Sequence, residues 1–455
     1  MTKTRLLFLN HSSVLLQYGD AYLLTDPWYQ KPAFGSWLPN PPLAFHPAYL
    51  AALSGKAGRL RILVSHAHDD HCDDDFLALF DKRTRVISAD FASPSVKRRM
   101  TKIGLEDFTA ASEAGVESGP FVIRGYINRK ISLDDAVYTI ETPDAFIVHA
   151  NDNWSELPAE WVATFRKGVT RVGRDASLYM SQTNSASGFP MTYDNFSAEE
   201  RRRLLANKVR GMMKRGALNC AAAGARHFLS YAGFASVFVK NHSEYFDDAI
   251  SPSPAFIREH WMADLPEGVE LLDLMPGDSF DFRSVRKSFL NEGIGEAELR
   301  EASRRFYETY GAVEKCDSYS VKYASGAERE RVGGQLKYFL EEFNSFVMRK
   351  TASSGFEPTI LGKIFAVEVE DLGLKMAVKF GGGLVSGDDF NKKLLVDSVV
   401  MRQVLDGVSW FENLYTGYNG RFVRNPAGTY NRDIVVYMTM FSYVYKAMVT
   451  GAAKA

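Results

Sequence analysis

Within six residues, His66-Ala67-His68-Asp69-Asp70-His71, the chain places four side chains that ligate metals. Imidazoles and carboxylates crowded this closely repel one another once charged, and their burial is costly unless a cation satisfies them. The spacing suits two cations side by side, His66 and His68 toward one, Asp70 and His71 toward the other. A solvated polar loop carries one or two such residues by chance; four at this spacing point to a metal centre.

More candidates lie downstream. Asp152, in His149-Ala150-Asn151-Asp152-Asn153-Trp154, follows the apolar run Ala145 to Val148. It is expected to bridge both metals, which offsets cation repulsion and fixes their separation; an Asx turn is the plainer alternative. His227 and His242 flank the apolar runs Phe228 to Gly233 and Ala235 to Val239. One of them is expected to ligate the second metal, with substrate contact or a structural role as the alternatives for each. His11 and Asp26 end short strands and suit a position behind the ligands, where a carboxylate holds an imidazole in one tautomer. His46 and His260 have no such context.

The elements that must hold these residues can be read from patterning. Leu6 to Leu9, Val14 to Gln17 and Ala21 to Leu24 form a sheet start, and Leu60 to Val64 is a buried strand running into the histidine turn. Trp28 to Pro47 is rich in prolines and aromatics, which excludes a helix or central strand. It is a long loop beside the turn, lining an entrance or wrapping the fold. Asp75 to Phe80 reads as a helix, Arg85 to Ser88 as a strand, and a further helix starts near Ser93-Pro94. Strands follow at Val122 to Ile127, Ala136 to Glu141 and Ala145 to His149, giving a layered α/β domain. Glu199 to Ala225 is a helix with a basic side (Arg201, Arg202, Arg203, Lys208, Arg210, Lys214, Arg215), read as a solvated face in preference to a phosphate site. The expected units are a catalytic domain at 1–275, a connector at 276–339 and a small α+β domain at 340–455. Gly381-Gly382-Gly383 lacks the Lys-Ser/Thr pair of a nucleotide loop and reads as a hairpin turn.

Length and composition bound the rest. At 455 residues two domains are more natural than one, and 46 % hydrophobic with 24 % charged residues describes a folded globular chain. Fifty-four basic residues balance 55 acidic ones, so nothing global argues for nucleic acid. Cys72, Cys220 and Cys316 build neither a disulfide framework nor a cysteine cluster, which fits the cytoplasm. The N-terminus lacks the apolar core of a secretory signal. Ile434 to Ala452 is apolar but interrupted by Lys446, so a buried helix is expected and no stable membrane insertion.

The pattern His66-x-His68-x-Asp70-His71, preceded by Thr25-Asp26-Pro27 and followed by Asp152, resembles the metallo-β-lactamase superfamily over roughly the first 250 residues. The resemblance implies an αβ/βα sandwich holding two metals at the sheet edges. Ser187 to Asp194, Tyr231 to Phe234 with Asn241-His242-Ser243, and Trp410 to Leu414 are similar to the CMP-N-acetylneuraminic acid hydroxylase-like branch; Tyr193 would then stand near substrate or behind a ligand. That branch resembles a fusion with a Rieske domain, which needs paired Cys and His. The dispersed cysteines lead us to expect no such cluster, and electrons from another protein or reductant.

A second departure concerns the first metal. The superfamily places a third histidine before the bridging Asp, yet no His occurs from Cys72 to Val148. His149 could fill the gap, Glu141 or Asp135 could supply a carboxylate, or Asn128 could stand in its place with a weak or absent metal. A carboxylate in place of an imidazole suits iron and dioxygen chemistry, whereas a His-rich site suits zinc hydrolysis. The expectation is two divalent metals, iron ahead of zinc, in an oxygenase acting on a small polar or anionic metabolite. The alternatives are a zinc hydrolase of an ester, amide or phosphodiester, with Asp70 or Asp152 orienting the attacking water, and a binding protein with a degenerate site. Substrate and oligomeric state are not legible.

Overall fold

The computed structural model describes residues 3–43, 45–56, 58–127, 135–248, 252–288, 291, 295–324, 329–354, 360–427 and 432–451. Among them, one sheet has eight strands in the order 285–286, 279–280, 4–10, 13–18, 21–25, 60–63, 85–89 and 108–111. The first five form antiparallel pairs; from Ala21–Thr25 onward the pairing is parallel. A second sheet has seven strands, 270–271, 227–231, 177–182, 146–151, 137–141, 121–126 and 116–118. Leu6, Phe8, Leu63 and Ile87 of one sheet pack on Ile123, Ile147, Leu178 and Leu229 of the other in a shared buried cluster.

Helices close both outer faces. Ala159–Val172 and Ala198–Ala223 bury Trp161, Phe165, Val209 and Met213 against Phe146, Tyr179 and Phe228. Ser95–Lys102 lays Val96 and Met100 on the first sheet with Ile62 and Val86. The fold class is α/β, with helices outside two facing sheets, the αβ/βα sandwich anticipated from the resemblance. The long helix starts in a capping box, Ser197 with Glu200, and ends at Gly224, whose φ of +77° suits glycine. On its basic side Arg210 and Lys214 pair with Asp264, and Arg215 reaches Glu156, which makes it a solvated face.

The C-terminal sheet, ordered 383–385, 374–379, 364–369, 392–396 and 420–424, is covered by helices Arg329–Ser354, Ser398–Leu405 and Arg432–Thr450. The triple glycine makes a tight turn, Gly381 and Gly383 both having φ of +85°. The strand pair at 279–286 extends the first sheet past residue 275, and the helix from 329 packs with the C-terminal sheet. The expected limits at 275 and 339 thus fall inside packed structure. The last helix is only partly buried: Ile434, Met438 and Phe441 face the core, but Val436, Met440 and Tyr443 are exposed. No helix of the described residues is long and apolar enough to cross a membrane.

Where the two units meet, Lys392 is buried and donates to the Tyr193 hydroxyl at 2.7 Å. Burial, with the Arg424 guanidinium nearby, pulls its ammonium down to about 7 from an ordinary 10.5. Between these values the unfolded chain holds a proton that the folded one has released, so stability rises with pH across that window and is flat below it. Lys392→Met is expected to be more stable than the native chain by about 2 kcal/mol at neutral pH. The advantage should shrink toward pH 10, read as the difference in urea unfolding free energy between the two proteins.

Candidate metal centre

The strand Leu60–Leu63 ends in the middle of the sandwich edge, and the turn after it is pinned from behind. Arg99 donates to Asp74 at 2.8 Å, to Asp69 at 2.7 Å and to the carbonyls of Cys72 and Ala67. Four non-glycine residues around the turn have left-handed backbones: His11 at φ +37°, Asp26 at +39°, Phe34 at +49° and Asn151 at +53°. Such conformations cost about 1 kcal/mol or more each and gather where side chains are held for a task.

The candidate ligands fall into two adjacent groups, His66 with His68 and Asp152, and His11 with Asp70 and His71. His66 Nε2 lies 2.8 Å from His68 Nδ1 and 3.8 Å from Asp152 Oδ2. Asp70 Oδ2 lies 3.3 Å from His11 Nε2 and 3.4 Å from His71 Nε2. The other oxygen of Asp152 is 3.6 Å from His71 Nε2, so this carboxylate spans both groups. Asp135 Oδ1 stands 3.9 Å from His66 Nδ1.

Electrostatics and hydrogen bonding test whether cations fit. Burial and the Asp152 carboxylate push the Asp135 carboxyl well up. Burial also raises Asp152, with Asp70 adding to the effect. Burial opposes the charged form of His71, but Asp70 and Asp152 outweigh it and hold the imidazole well above its ordinary range. Meanwhile His71 Nε2, Asp70 Oδ1, Asp135 Oδ1 and Asp152 Oδ1 are buried without a hydrogen-bond partner among the described residues. Orphaned donors of this kind, converging from two sides, fit metal ions.

Behind His71 lies a fully buried chain. Asp26 Oδ2 is 3.2 Å from His71 Nδ1 and 3.1 Å from His149 Nε2, and its other oxygen accepts the Ser65 N–H at 2.7 Å. His149 Nδ1 meets the Tyr231 hydroxyl at 2.5 Å. Burial would raise the Asp26 carboxyl, but the two imidazoles hold it far below the usual carboxylate range. Asp26 and the Ser12 hydroxyl, which lies 2.9 Å from the same nitrogen, together orient His71.

No family model matches the chain. It is 25 % identical over 228 residues to the cytidine monophosphate-N-acetylneuraminic acid hydroxylase of Asterias rubens, covering 46 % of this chain and 32 % of that protein. It is 25 % identical over 314 residues to a protein of Mycobacterium tuberculosis (strain ATCC 25618 / H37Rv) described as a Rieske 2Fe-2S iron–sulfur protein, covering 63 % and 55 %. The chain thus spans between a third and just over half the length of these curated relatives. Among solved structures, the diiron β-hydroxylase CmlA from Streptomyces venezuelae overlays with a TM-score of 0.37 at 13 % identity, covering 61 % of this chain and 54 % of that one. Overlays of the same kind are made by metal-dependent hydrolases and metallo-β-lactamase-fold proteins. The chain resembles metallo-β-lactamase-fold proteins.

Against that resemblance, several expected positions need correction. His149 is no ligand, because both its ring nitrogens are taken by Asp26 and Tyr231. His227 opens its parallel strand, in register with Leu178, and so sits at the opposite end of the sheet from Asp152. Its ring faces the Asp175 carbonyl at 3.1 Å. His242 is bonded to Glu244 and stacked on Tyr245. Tyr193 lies between the two units, stacked on Phe422 and bonded to Lys392, away from the ligands. His11, expected behind the ligands, instead faces Asp70 directly. Glu141 pairs with Arg124 and Arg171, and Asn128 lies outside the described residues. The only forewarning of His11 is a lone histidine in a two-residue hairpin turn, a signal shared with many structural histidines.

Proposed function

We propose that this chain is a non-haem oxygenase holding two iron ions and acting on a small polar or anionic metabolite. The observation that carries the reading is the first group of ligands. His66 and His68 are joined there by one carboxylate, Asp152, with Asp135 beside the other ring nitrogen of His66, and His149 is committed elsewhere. Two histidines with carboxylate oxygen are the donor set suited to iron that reacts with dioxygen. Bound iron would supply the electron transfer to dioxygen that side chains cannot. In this reading Asp152 fixes the spacing between the two sites, Asp26 sets the tautomer of His71, and Phe34, whose ring lies 5.5 Å from that of His68, restricts water. Electrons would come from a separate reductant or donor protein.

A zinc hydrolase is the second reading, favoured by the four imidazoles His11, His66, His68 and His71. Elemental analysis of the purified chain, with dioxygen uptake after anaerobic reduction, separates the two. The oxygenase predicts about two irons per chain and uptake that depends on reduction. Stoichiometric zinc, with ester or phosphodiester cleavage restored by zinc alone, would replace it with the hydrolase.

A further inference from the structure

The histidine turn floors a cavity of about 760 Å³, a size that suits a small organic ligand. Its wall has two chemically different parts. One is the helix Ser95–Lys102, whose exposed Arg98 and Lys102 line the cavity. Among the described residues no carboxylate lies within ion-pair distance of either, whereas Arg99 is consumed by Asp69 and Asp74. The other part comes from the C-terminal unit. There Trp410 and Tyr443 stand with ring centroids 4.8 Å apart and planes tilted by 44°, and Tyr443 is 54 % exposed. The Lys446 ammonium sits 3.8 Å from the Trp410 ring centre, outside the cavity lining. Glu412 of the same wall is the one acid there beyond the turn and its carboxylates.

Exposed cations recognise an acid group through charge-assisted hydrogen bonds, and a bare aromatic edge recognises a flat ring. We propose that this cavity binds a ring-bearing organic anion, its acid group held by Arg98 and Lys102 and its ring laid against Tyr443 and Trp410. As a substrate assignment this rests on the metal-centre reading above; as a binding site it does not. The C-terminal unit is then part of the site, and selects what reaches the metals.

Calorimetric titration of the metal-loaded full chain tests this, with phenyl phosphate as the ring-bearing anion, benzamide as a neutral ring and inorganic phosphate as an anion without a ring. Phenyl phosphate should bind at least tenfold tighter than either control. Arg98→Gln with Lys102→Gln should weaken phenyl phosphate at least tenfold and leave benzamide unchanged. Tyr443→Ala should weaken phenyl phosphate severalfold and leave inorganic phosphate unchanged. All three positions are exposed, so the variants keep the fold, and elemental analysis should find their metal content unaltered. Equal affinity for phenyl phosphate in native and Gln variants, or no preference over both controls, overturns the inference. Two bound metals without that preference would leave the centre standing and remove the anion site. The same preference in a chain that takes up no metal would support the site and remove the reaction.

Discussion

Asp152→Asn should lower bound metal from about two ions per chain to one or fewer, and turnover by at least about a hundredfold, the scale set by loss of mere supporting groups around a ligand. The reason is geometric. One oxygen faces His66 and the other faces His71, so no other side chain of the described set serves both groups. The stability of the metal-free protein should move the other way. Burial and Asp70 already disfavour the Asp152 charge, and an amide of the same shape removes the repulsion with Asp135. Metal-free Asp152→Asn is therefore expected to melt no lower than the metal-free native chain, while gaining less on addition of metal. Retention of two metals by the variant would show that the bridge lies elsewhere.

Asp26→Ala should do the opposite, damaging the fold before the chemistry. The carboxylate is fully buried and serves His71, His149 and the Ser65 amide together. Its removal strands His149 Nε2 and the Ser65 amide in a low-dielectric interior and leaves His71 Nδ1 with the Ser12 hydroxyl alone, at a cost of roughly 3 kcal/mol. Urea unfolding of the metal-free protein reads this directly. A loss below about 1 kcal/mol would mean that packing, not this carboxylate, holds the turn.

How much of this was legible beforehand follows from the range of the interactions. The turn at His66 to His71 and the strands before it are local patterns, and their apolar runs matched those strands to within a residue or two, whereas the strands at 108–111 and 177–182 went unread. The position of Asp152 just past a buried strand is also local. His149 misled because the sequence shows that an imidazole is near the sheet edge but not that Asp26 and Tyr231, 123 and 82 residues away along the chain, already occupy both its nitrogens. His227 misled because its strand runs parallel, which puts its first residue at the far end. Trp410 and Tyr443 were invisible as cavity residues, since their place depends on how the C-terminal unit seats.

That seating has its own consequence. The Asp317 carboxylate accepts from Ser409 at 2.5 Å and from Asn413 at 2.8 Å, and its backbone N–H donates to the Gly35 carbonyl at 2.7 Å, one residue from Phe34. A single half-buried acid therefore clamps the loop at the ligands to the segment bearing Trp410. The two walls of the cavity are held together by this rivet, so substitution of Asp317 is expected to change which molecules the cavity admits without touching the candidate ligands.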